Sequence, residues 1–158
     1  SRYSIKMKME VIDAIKTKQF DKILAVDKFN FKSLIKKYYH MGNLFKNADD
    51  NVIIHMVQNG YNLEASDIMG RRIIHYACEF GRLKIVKLLI EKQVDLNCTT
   101  KRGVRPIHSA CEKYYLEIIS LLIKQGVSLK DKEPFNQYGN EFSDTESDTE
   151  SDTESDNE

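Results

Sequence analysis

The residues of this sequence best able to do chemistry are its histidines and cysteines, and two of each recur at one spacing. His75 and His108 stand 33 positions apart, and so do Cys78 and Cys111. Two imidazoles offer nitrogen ligands for a metal ion or a proton-transfer couple. Two thiols offer a disulfide, or a nucleophile where a neighbour lowers the thiol pKa. Cys98 has no histidine or acid adjacent to it, and His40 and His55 are isolated. The sequence holds no glycine-rich phosphate loop, no paired-carboxylate arrangement and no ligand spacing of a known metal site. Whether either recurring pair can act depends on where the elements that carry it place its two members.

Those elements are repeats. Laying Asp67–Thr99 over Thr100–Lys132 puts Gly70 on Gly103, Arg72 on Arg105 and Ile74-His75 on Ile107-His108. Ala77-Cys78-Glu79 falls on Ala110-Cys111-Glu112, Leu83 on Leu116, and Leu88-Leu89-Ile90 on Leu121-Leu122-Ile123. Within one block, a glycine (Gly70, Gly103) permits the positive φ of a chain reversal. Ile74, Ala77 and Cys78 then form a short helical stripe. Gly81 or Tyr114 ends that helix, and Ile85, Val86, Leu88 and Leu89 begin a second one, apolar on more than one face. Such a helix has to be covered on both sides, so one block cannot stand alone.

The segments Gly70-Arg-Arg-Ile-Ile-His-Tyr-Ala77 and Gly103-Val-Arg-Pro-Ile-His-Ser-Ala110 resemble the T-P-L-H-x-A signature of ankyrin repeats, whose period is also 33 residues. The resemblance implies an all-α ankyrin-repeat solenoid of stacked helix-turn-helix units joined by hairpin turns, followed by a disordered acidic tail. The pattern is broken in three places. Arg72 and Arg105 occupy the usual threonine position and remove the hydroxyl that ties turn to helix. Ile73 replaces proline, and Gln93 replaces the glycine that ends the second helix. In the same register, Val52–Leu63 aligns with Ile85–Leu96 and marks a degenerate repeat over residues 38–66. The expected layout is an N-terminal helical segment or capping repeat at 1–37 and repeats at 38–66, 67–99 and 100–132. An aromatic cap at 133–142 and the acidic tail at 143–158 complete it.

Repeat geometry disposes of the recurring pairs. Equivalent residues of adjacent repeats lie about 10 Å apart, the spacing of packed helices. That is too far for one metal with bonds of about 2 Å, and beyond the roughly 7 Å Cα limit for a disulfide. His75 and His108 are therefore expected to hydrogen-bond backbone in the turns, and Cys78 and Cys111 to serve as core side chains. Cys98, in the loop between repeats, is expected at an exposed place. The reading is of a protein that is not an enzyme, with no catalytic residues, cofactor, metal or small-molecule substrate.

Composition sets the remaining bounds. No stretch approaches the roughly 20 apolar residues that span a membrane. The start Ser1-Arg2-Tyr3-Ser4 has no signal-type apolar core, and an odd cysteine count without a C-x-x-C spacing fits a reducing compartment. An intracellular protein, cytoplasmic or nuclear, is expected. A net charge of zero conceals a division: residues 1–140 hold all 24 bases against 15 acids, and residues 141–158 hold nine acids and no base. The tract from Ser143 to Glu158 has no apolar residue, so it cannot offset its ordering entropy. Ser143, Thr145, Ser147, Thr149, Ser151, Thr153 and Ser155 each precede an acid by three residues. They are candidate sites for an acidophilic kinase, each adding about −1.5 to −2 charges.

The resemblance also marks contact positions at the turn tips and the inner helix face. These are Ile68, Met69, Arg71, Glu79 and Phe80 in one repeat, and Lys101, Arg102, Val104, Glu112 and Lys113 in the next. The reading is an adaptor that binds another protein through a concave face, the tail modulating it. Two alternatives stand beside it: nucleic-acid or nucleoprotein association through the basic body, and a module of a larger multidomain protein. At the far end of the stack, Ile107, Ala110, Leu121 and Leu122 are expected to be left open, with Phe135, Tyr138 and Phe142 folding back over them.

Overall fold

The computed structural model describes residues 2–25 and 38–129. The expectations placed on the aromatic segment and the acidic tail lie outside the described residues. Among the described residues, eight helices run in chain order: α1 (Arg2–Lys16), α2 (Asp21–Leu24), α3 (Tyr38–Asn47), α4 (Asp50–Gln58), α5 (Ile73–Glu79), α6 (Leu83–Glu91), α7 (Pro106–Glu112) and α8 (Leu116–Lys124). The odd-numbered helices pack in sequence as one layer, and α2, α4, α6 and α8 pack in sequence as a second. The fold is an all-α repeat stack, with no strand among the described residues beyond a single bridge between Ser66 and Arg72.

The apolar stripes account for these elements. In α5 every residue from Ile73 to Cys78 is buried, as befits a helix enclosed by α3 on one side and α7 on the other. The rings of Phe45 and Tyr76, with centroids 5.9 Å apart, join α3 to α5. The buried core runs unbroken along the stack from Val11 to Val127. Its α7–α8 end corrects one expectation. Ile107, Ala110 and Leu122 are fully buried rather than open, and Leu121 is half-buried.

Backbone conformation follows the repeat even where the residue type does not. Gly81 and Gly126 have φ of 67° and 87°, and at the matching positions Tyr114 and Gln93 take 58° and 59°. A side chain in this left-handed region costs about 1–2 kcal/mol, so the stack imposes these turns against local preference. Gly70 is held more tightly. With φ 77° it abuts the next turn so closely that a Cβ would fall 2.9 Å from the Lys101 amide nitrogen.

Arg82, at the start of α6, fastens its helix pair to the one before. Its guanidinium donates to the Phe45 carbonyl (3.0 and 2.7 Å), to the Ala48 carbonyl and to the Asp50 carboxylate (3.0 Å). These acceptors lie at the C-terminal end of α3 and the N-terminal end of α4, where helix carbonyls lack partners of their own. The planar fork of arginine suits several acceptors at once, which a lysine cannot match.

Two stability measurements check this account. Arg82→Ala should lower the unfolding free energy by about 2–4 kcal/mol, the scale for removing charge-assisted bonds from half-buried acceptors. Arg82→Lys should recover less than half, both read from urea titrations with an unchanged slope. Gln93→Gly should raise stability by about 0.5–1 kcal/mol, since it relieves a left-handed side chain at some cost in chain entropy.

Candidate interaction face

The turns that project from the stack are built twice by different chemistry. In the first, the Asp67 amide donates to the Arg71 carbonyl (2.9 Å) and the Gly70 amide to the Asp67 carbonyl (3.0 Å). In the second, Thr100 and Gly103 repeat this pattern, with Thr100 donating to Val104 (2.9 Å) and Gly103 to Thr100 (2.9 Å). Asp67 Oδ1 accepts from the amides of Met69 (2.8 Å) and Arg71 (2.9 Å), and Thr100 Oγ1 accepts from those of Arg102 and Val104, both at 3.2 Å. The other Asp67 oxygen accepts from the Tyr76 hydroxyl and locks the first turn to α5. The Lys101 amide donates to the Met69 carbonyl at 2.9 Å, fixing one tip against the next.

His75 replaces the missing hydroxyl. Its Nδ1 accepts the Arg72 amide proton at 3.0 Å, which places the ring proton on Nε2, and Nε2 donates to the Val104 carbonyl at 3.0 Å. One buried ring thus caps its own helix and grips the following turn. His108 Nδ1 faces the Arg105 amide at 3.4 Å in the same way. Burial holds the His75 pKa below its ordinary value. Hydrogen bonds to the carbonyls of Val104 and Cys98 act against this, and Arg71 and Arg72 reinforce it. With both nitrogens engaged, His75 has none to offer a metal or a substrate. Among the described residues, no three of His, Cys, Asp or Glu gather as a metal site.

No cysteine is disulfide-bonded. Burial pushes the Cys78 thiol well up, and the Cys98 thiol up to about 11. Cys98 is buried, not exposed as its loop position implied, because the loop folds inward beneath the two turns. Neither thiol is poised as a nucleophile.

A cleft of about 210 Å³ opens between the two turns and the inner helices α5 and α7. Six of the ten contact positions line it: Met69, Arg71, Glu79, Arg102, Val104 and Glu112. Ile68, Phe80, Lys101 and Lys113 do not. Ile68 is 63% exposed and Met69 37%, so the first tip presents apolar side chains to solvent. Phe80 is half-buried and packs on the core, so it presents less surface than the exposed ring expected there. Lys101, Arg102, Glu112 and Lys113 are exposed.

The cleft is electrically uneven. Arg71 pairs with Glu79 at 2.8 Å across its floor. One period on, Val104 stands where Arg71 did, so Glu112 is not matched by an arginine at that place. Thr100 and Ser109 line the cleft as well. Sequence reasoning missed them because small hydroxyl residues in a turn carry no pattern of their own. It also missed Tyr114 and Leu116, 82% and 72% exposed at the opposite ends of the helices. Their alignment with Gly81 and Leu83 was the available signal.

In a comparison with protein-family models, ankyrin repeats, in three copies, match residues 31–133. No curated protein matches the chain. Among the described residues, no helix is long and apolar enough to cross a membrane.

The His75 bridge yields a pH prediction. Its folded pKa lies below the unfolded value, so the unfolded chain binds more protons at acid pH. The bridge's full contribution is present above about pH 6.5 and is lost as pH falls below that value, by at most about 1.4 kcal/mol per unit. His75→Gln should flatten this dependence between about pH 7.5 and 5.5, a range chosen to bracket the ordinary histidine pKa. Urea titrations of both proteins at stepped pH measure the difference.

Proposed function

This chain belongs to the ankyrin-repeat family, and from that premise we propose that the face formed by the Asp67–Arg72 and Thr100–Arg105 turns and by α5 and α7 binds a partner protein. Ankyrin repeats are generally protein–protein interaction modules rather than enzymes. The observation that carries this assignment is the apolar tip of Ile68 and Met69, standing beside a cleft edged by Arg102. Exposed apolar side chains rimmed by charge are the usual composition of a contact centre. Met69 supplies an adaptable apolar surface, and Arg102 a planar donor for a carboxylate. The partner that fits is a protein segment with an apolar anchor and an acidic residue near it. Arg71, already paired with Glu79, serves mainly to shape the floor.

The wider reading is of an intracellular adaptor without catalytic activity, its compartment argued from cysteine usage. Residues 1–37 act as the N-terminal cap of the stack. The acidic tail tunes binding, more strongly once its Ser and Thr residues are phosphorylated.

The experiment replaces Ile68→Ser, Met69→Ser and Arg102→Glu together and compares capture of the partners that the unaltered chain retrieves. Binding should weaken by about 100-fold or more, as for loss of a contact centre. Helical circular dichroism and the melting temperature should hold. Undiminished capture by a folded triple variant would place the contact elsewhere.

A further inference from the structure

The two best-matched helix pairs share one backbone plan, so their burial can be compared position by position. Cys78 and Val86 are fully buried, and Ile90 and Leu96 are half-buried. One period later, Cys111 and Ile119 are half-buried, while Ile123 and Leu129 are 46% and 47% exposed. Each position becomes more open by one step. Other positions do not change in this way, since Ile107, Ala110, Ile118 and Leu122 stay at 2% exposure or less. Cover is lost at the start of α8 as well, where Leu116 is 72% exposed against half-buried Leu83, and we assign the losses at Cys111, Ile119, Ile123 and Leu129 to the side that a following unit would occupy.

We propose that residues 133–142 of this same chain occupy that face, with Phe135, Tyr138 and Phe142 packed over Cys111, Ile119, Ile123 and Leu129. The chain continues toward that segment from Leu129, the last described residue, which is itself 47% exposed. Phe135 stands six positions after Leu129, a reach of up to about 20 Å. Each covering helix is at most about 14 Å long. A closure this short carries little loop entropy.

Register supports the same placement. Residue 137 lies one period beyond Val104, whose carbonyl receives the His75 Nε2 proton, so the segment begins where the next turn belongs. Pro134 lies one period beyond Lys101, whose amide joins the tips by bonding Met69. Proline has no N–H for that bond, so side chains have to hold the segment. No second pair of apolar stripes follows Lys132 in the sequence, and the three aromatics are the large apolar residues there.

Two measurements on the full chain test this, and the partner-binding reading does not enter either. In the unaltered protein, nuclear Overhauser contacts should join the rings of Phe135, Tyr138 and Phe142 to methyl groups of Ile119, Ile123 and Leu129. A sample mixing labelled and unlabelled chains assigns those contacts to one chain. Absence of the contacts, or their appearance only between chains, would overturn the proposal, and the latter would make a second copy the occupant. In the second measurement, Phe135→Ser, Tyr138→Ser and Phe142→Ser together should speed alkylation of Cys111 by about tenfold, as expected when a protecting segment is released. Cys78 and Cys98 should keep their slow rates. An unchanged Cys111 rate would refute the cap. Should all three thiols accelerate together, the variant has unfolded, and the contacts in the unaltered chain decide.

Discussion

Each helix pair in this protein is apolar on faces that the pair cannot cover by itself, and everything else in the structure answers to that constraint. In α5 six consecutive residues are buried, which is feasible only because α3 and α7 lie against it on two sides. A pair standing alone would leave those side chains in water. The stack is therefore the smallest stable object, and stability passes from neighbour to neighbour along one dimension. The difference between Ile90 and Ile123, chemically identical and one period apart, measures what a neighbour contributes.

Apolar cover brings the pairs together but does not set their register. That is done by a small number of directional polar links between units. Lys101 bonds Met69 at the tips, His75 bonds Val104 beneath them, and Arg82 bonds the carbonyls of Phe45 and Ala48 at the other end of the helices. The first two join the α5–α6 pair to the following one and the third joins it to the preceding one, so each junction has a directional tie of its own. One of the links, that of Arg82, uses a side chain with no sequence signature, whereas His75 stands at the histidine of the repeat pattern and the Lys101 link is main chain. What the fold requires is a donor or acceptor at a given place, and several residue types can provide it, as Asp67 and Thr100 do in equivalent turns.

This division of labour also explains where a partner can be met. The tips are rigid because they are tied to each other and to α5, so side chains projecting from them lose little freedom on binding. Ile68, Met69 and Arg102 take no part in the core and are free to vary in chemistry without loss of the stack. The cleft beneath them combines a satisfied ion pair, Arg71 with Glu79, and a glutamate at the matching position that faces valine instead.

By itself, the sequence determined the repeat unit, its period and its all-α character. A 33-residue recurrence of apolar and glycine positions is a direct image of which side chains have to be covered. It also determined that His75 and Cys78 belong to the framework, because a member of a repeated set is separated from its equivalent by a helix width. The tertiary structure alone decided the rest. It showed that Ile107, Ala110 and Leu122 are fully buried while Cys111 and Ile119 are half-buried and Ile123 and Leu129 exposed, a gradation that periodicity cannot express. It folded Cys98 under the turns, drew Phe80 onto the core and left Tyr114 in solvent at positive φ. It also gave Arg82 its acceptors more than 30 residues away. These outcomes depend on contacts between units, and a one-dimensional pattern records what has to be buried but not which neighbour buries it.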